Sequence, residues 1–210
     1  MPSPFSIEHE WTFRPGQPSD QVPGNAPIRY AKEAEALKAI GQIGVIGSVQ
    51  IARLYGFKRH HIRRMLAEDK LIQHTLCKNK NTIPVFSIGP QAAKRLNLPE
   101  PNVRLWSTER LLKSLVFFQF CCALNDKQKA FQIHAAPQPF TGRVQIGTEV
   151  RNVLVLRRDK PEKISGRVIL IAETLEQAIP YGNEDTVLLL DADLNADYRF
   201  YRWKSGSWIR

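Results

Sequence analysis

Within seven consecutive positions, Lys58-Arg-His-His-Ile-Arg-Arg64, six side chains are cationic or imidazole. Guanidinium groups can donate a pair of hydrogen bonds to O6 and N7 of guanine, and guanidinium and ammonium groups both neutralise backbone phosphates. Ile62, Met65 and Leu66 recur at spacings of three and four, which predicts a helix over residues 58–68 with one buried stripe. Arg59, His60, Arg63 and Arg64 then project outward from a rod that fits the major groove of DNA. A solvated basic face is the plainer alternative. No metal is expected at His60 and His61, because neighbouring helix residues diverge and no further ligand is evident.

The flanking segments would position such a helix. Ser48-Val-Gln-Ile-Ala-Arg-Leu-Tyr-Gly56 precedes it. Ser48 is the expected N-cap of a helix over residues 49–54, and Gly56 suits the left-handed position that ends one. Gln50 and Arg53 on that helix are candidates to clamp phosphates. Residues 71–76 and 83–88 read as a hairpin around the polar turn Lys78-Asn-Lys-Asn81. Pro84 cannot donate to a ladder, so its strand is expected at an edge. Lys78 and Lys80 would meet phosphate or the minor groove. With an Ala-rich helix over residues 28–40 in front, this order is the plan of a winged helix-turn-helix. The expected DNA-binding set is Ser48, Gln50, Arg53, Lys58, Arg59, His60, His61, Arg63, Arg64, Lys78 and Lys80.

Signals for catalysis are weaker. There is no Gly-rich phosphate loop and no zinc-protease motif, so no cofactor is expected. Asp191-Ala-Asp193 follows an apolar run, and strand alternation would put both carboxylates on one face, where they could hold Mg²⁺. A solvated strand end is the commoner outcome. Glu149 and Asp159 flank a strand over residues 152–156, but Val153-Leu-Val-Leu156 leaves no Glu-x-Lys for a metal-dependent nuclease. Cys77, Cys121 and Cys122 make no disulfide framework and no Cys-x-x-Cys pair; buried free thiols are expected.

The formal net charge is +10, and its distribution is informative. Residues 1–27 sum to −2, residues 28–104 to +9 and residues 105–210 to +3. The excess sits on the helix-turn-helix pattern, which points to a polyanionic partner. Six prolines within residues 1–27 predict a flexible arm, with docking through Phe5, Trp11 or Phe13 as the alternative. The winged helix is expected over residues 28–98, with a linker near residues 97–102. Residues 105–210 should form an α/β domain that begins with a long helix. Leu111, Leu115, Phe118 and Cys122 lie on one face of that helix and are candidates for dimerisation, with the protein's own core as the alternative. Candidate strands follow at residues 131–134, 143–147, 152–156, 168–172, 186–191 and 198–204, with a short helix at 173–179. No apolar run approaches the ~20 residues that span a bilayer, and the N-terminus lacks a secretory pattern, so a cytoplasmic protein is expected.

Ile51-Ala-Arg-Leu-Tyr-Gly56, Arg63-Arg-Met-Leu66, Leu71-Ile72 and Phe86-Ser-Ile-Gly-Pro-Gln-Ala-Ala-Lys-Arg-Leu96 together resemble the reader of the replication-relaxation family of bacterial plasmids and integrative conjugative elements. Gly166-Arg-Val-Ile-Leu-Ile-Ala-Glu-Thr174 and Phe200-Tyr-Arg-Trp203 look like the last part of a restriction-endonuclease-like core. The resemblance implies an α+β chain: a winged helix-turn-helix followed by a degenerate, non-catalytic core. The expected function is sequence-specific binding of double-stranded DNA as a homodimeric transcriptional regulator on an inverted repeat. An origin-binding accessory protein of replication or conjugation and a metal-dependent nuclease are the alternatives.

Overall fold

The structure is a computed structural model that describes residues 3–18, 26–158, 164–196 and 198–210. It is a mixed α+β fold with a four-stranded antiparallel sheet and a seven-stranded mixed sheet. The chain divides into two compact units, Glu10–Ser114 and the combination of Met1–His9 with Leu115–Arg210. Among the described residues, no helix is long and apolar enough to cross a membrane.

In the first unit the elements run β1 (Thr12–Arg14), α1 (Ala31–Ile43), β2 (Ile46–Gly47), α2 (Ser48–Tyr55), α3 (Arg59–Ala67), β3 (Leu71–Lys78), β4 (Asn81–Ile88) and α4 (Pro90–Arg95). Ala36, Leu37, Ala39 and Ile40 of α1, Ile51 of α2 and Ile62 and Met65 of α3 are buried, as a helical apolar stripe requires. Gly56 ends α2 in the left-handed region at φ +67°, which a residue with a side chain rarely adopts. β3 and β4 form a hairpin from Leu71↔Ile88 to Lys78↔Asn81. β2 pairs with β4 only at Val85 and Phe86, so β4 becomes an edge at Pro84, where a missing donor costs least.

The flexible arm expected over residues 1–27 is not what the described part of it forms. β1 joins the hairpin as a further antiparallel strand, with Thr12↔Cys77, Phe13↔Leu76 and Arg14↔Thr75 in register. The Gly16 N–H donates to Nδ1 of His74, whose ring also contacts Phe13. A Cβ on Gly16 would overlap the Gln73 carbonyl, so only glycine permits this approach. The prolines of this segment flank the strand and leave three residues free to pair. Pro23 and Gly24 lie outside the described residues.

α5 (Thr108–Asp126) carries the boundary between the units, at Ser114 and Leu115. In the second unit, β5 (Phe131–His134), β6 (Gly142–Ile146), β7 (Glu149–Val155), β8 (Val168–Ala172), α6 (Leu175–Ala178), β9 (Thr186–Leu190), β10 (Tyr201–Lys204) and β11 (Ser207–Ile209) follow. The sheet order is β11-β10-β9-β8-β7-β6-β5, with β7, β8 and β9 mutually parallel. All five residues of β8 are buried, which is why its sequence is continuously apolar. Leu154, Leu170, Leu188, Tyr201 and Trp208 share one core cluster.

Candidate nucleic-acid interface

α3 is anchored from below and open above. Ile62 and Met65 point into the core, while Lys58, Arg59, His60 and Arg63 are exposed. Lys58 is the N-cap, and its N–H donates to Nδ1 of His61 at 3.1 Å. A groove of about 640 Å³ lies between α2, α3 and the β3–β4 hairpin. Val49 and Ala52 of α2 border it, Lys58, Arg59 and Arg63 supply its charge, and Pro84 lines it from the sheet. Among the described residues, no carboxylate lines this groove. Val49 is 66% exposed, an apolar side chain at the groove edge that the charge pattern alone did not single out. Lys78 ends β3, and Lys80 is exposed in the turn that follows.

Several expected contact residues have other work. The N-cap of α2 is Gly47, not Ser48, which is the first residue of the helix and lines the groove. Gln50 is buried, and its Oε1 accepts the Gly47 N–H at 2.9 Å, so it closes the helix start rather than clamping phosphate. His61 is half-buried at the α3 cap, and burial, followed by the nearby His60, lowers its pKa. Arg53 is half-buried on α2.

Arg64 turns toward α1. Its Nη2 lies 3.5 Å from Oε2 of buried Glu33, and its guanidinium sits 5.9 Å from the Tyr30 ring centroid. Glu33 also accepts from Lys70 Nζ at 2.6 Å. Lys70 is fully buried and reaches the Glu68 carboxylate and the Pro27 carbonyl as well, each at 2.6 Å. Burial opposes ionisation of Glu68, but hydrogen bonds from Lys70 and Arg29 outweigh it and hold its carboxyl below the ordinary value. The network ties the C-terminal end of α3 to α1. Sequence reasoning missed it because a lone lysine beside an acidic pair reads as surface.

The four residues expected at a dimer interface are core. Leu111, Leu115, Phe118 and Cys122 have no exposed surface in the single chain. Nearly every residue from 111 to 124 is buried, so α5 is enclosed on all sides rather than along one seam.

The carboxylates considered for metal chemistry do not meet. Glu149 begins β7, whereas Asp191 follows the end of the parallel strand β9, so they lie at opposite ends of the sheet. Glu149 pairs with Arg151 at 2.6 Å. Asp191 and Asp193 stand in a 3-10 turn, not on a strand, so alternation does not align them. Asp191 is buried rather than solvated, and its Oδ2 accepts from Arg157 Nη2 at 2.8 Å. Burial raises its pKa despite that partner. Asp159 lies outside the described residues. Among the described residues, no three His, Cys, Asp or Glu side chains converge as a metal site. Cys121 and Cys122 are buried free thiols, and Cys77 is half-buried.

No family model matches the chain, nor does any curated protein or solved structure.

Proposed function

We propose that the chain binds double-stranded DNA through a winged helix-turn-helix over residues 28–98, with α3 as the recognition helix and the β3–β4 hairpin as the wing. One observation carries this reading. Lys58, Arg59 and Arg63 surround a groove that no carboxylate of the described residues lines, on a helix anchored by buried Ile62 and Met65. Exposed cations on a rigid helix fit major-groove edges and the phosphates beside them. The order α1, β2, α2, α3, β3, β4 supports the same reading. The resemblance to the replication-relaxation family rests chiefly on residues of α2, α3, β3, β4 and α4, and it favours a regulator of a plasmid or mobile element. Reading an inverted repeat as a homodimer would need a surface other than Leu111, Leu115, Phe118 and Cys122. The second unit is proposed to bind a partner rather than to catalyse a reaction.

The test is retention of duplex DNA with salt varied, followed by footprinting of the best genomic site. Changing Arg59 and Arg63 together to alanine should weaken binding at least tenfold and make the salt dependence shallower by about two phosphate contacts. Unchanged affinity in a folded double variant would reject α3 as the reader.

A further inference from the structure

β1 brings a basic residue to the same side of the sheet that lines the groove. In an antiparallel ladder, directly paired residues project from the same face. Arg14 pairs with Thr75, and Thr75 pairs with Pro84, so the three share one face. Pro84 lines the groove beside α3. Arg14 is exposed there. Its strand is held in register by Phe13 against the His74 ring and by the Gly16 N–H on His74 Nδ1.

We infer that Arg14 contacts a DNA phosphate, and that β1 widens the DNA-binding face from a two-stranded wing to three strands. The inference rests on the DNA-binding reading above and extends it to a segment outside residues 28–98. The occupant follows from charge: Lys58, Arg59, Arg63 and Arg14 border or extend a groove that no carboxylate of the described residues lines. A phosphate strand crossing this face would leave α3 in the major groove and meet the sheet beside it. Arg14 would then add affinity without sequence preference, because phosphates are the same at every base pair.

Fluorescence anisotropy on a mixed-sequence 30-base-pair duplex, with salt varied, tests this on the full chain. Arg14→Ala should weaken binding roughly three- to tenfold and reduce the salt slope by about one. Arg14→Lys should restore most of the affinity, since a phosphate contact needs a charge more than a fork. Lys38→Ala, an exposed change on α1, removes the same net charge and should leave the slope unaltered. Equal effects of Arg14→Ala and Lys38→Ala would overturn the inference, leaving only a net-charge effect. An unchanged Arg14→Ala slope, with binding lost in the Arg59 and Arg63 double variant, would overturn it while keeping α3 as the reader. Absence of duplex binding by the native chain would overturn both.

Discussion

His74 is fixed in one tautomer by its neighbours. A backbone N–H can only donate, so Nδ1 accepts from Gly16, and Nε2 carries the ring proton toward Ser87 Oγ at 2.8 Å. Burial drives the pKa of this ring from 6.5 to about 4. The unfolded chain therefore takes up a proton below about pH 6.5 that the folded chain refuses until about pH 4. Stability is complete above that window and is lost as pH falls through it, by on the order of 3 kcal/mol at its lower end. His74→Gln keeps an acceptor and a donor but cannot titrate. In urea titrations the advantage of the native chain over this variant should shrink between pH 7 and pH 4. A gap that stays constant would mean that the ring is not held neutral. Lys70 poses a different problem at the same scale, because its burial is tolerable only while its carboxylates are present. Lys70→Met should cost about 3–5 kcal/mol by removing the buried cation that Glu33 and Glu68 share, which leaves each with a single arginine partner. Adding Glu33→Gln should cost about 1–3 kcal/mol less than the two single changes summed, which a double-mutant cycle measures.

At the scale of elements, the hairpin and α3 are one device with two supports. Ile62 and Met65 seat the helix, and the Glu33–Lys70 network fixes the turn that leads from it into β3. The Arg59 and Arg63 variants change neither support, so their effect on DNA binding reads contacts rather than folding. Much of this was legible in the residues. The buried positions 62 and 65, the glycine at 56 and the turn at 78–81 each state a local preference that tertiary structure did not override, whereas Leu66, expected in the same stripe, is half-buried and lines the groove. Val168–Ala172 was legible in full, because a strand buried on both faces admits only apolar side chains. β1 was hidden by the prolines around it, and its pairing depends on His74, about 60 residues away in sequence. β11 is three residues after a Ser-Gly turn, too short to show a period. The start of α2 was misread by one residue because Ser48 has the better capping side chain, whereas Gln50 does the capping. Charge type alone cannot separate Arg63, which is exposed, from Arg64, one position on, which faces Glu33.

For the whole molecule, the burial of α5 decides what a change there would mean. If Leu115 joined two copies, a charge at that position would yield a folded monomer. Because Leu115 has no exposed surface within one chain, Leu115→Glu should instead abolish cooperative unfolding, leaving a broad melt by circular dichroism. A sharp transition accompanied by a halved mass in sedimentation would reinstate the dimer contact. The two units also differ in continuity. Residues 10–114 are one stretch of chain, whereas the other unit draws on residues 3–9 and on everything after 114. The Ile7 N–H donates to Glu173 Oε1 at 3.0 Å, and the Ser3 hydroxyl bonds Asp191. On the ribosome, at roughly 5–20 residues per second, Ile7 emerges some 10–30 s before the glutamate that receives its hydrogen bond. Residues 3–9 thus wait for a partner made more than a hundred residues later, and the groove-bearing unit, residues 10–114, has left the ribosome before the other unit can close.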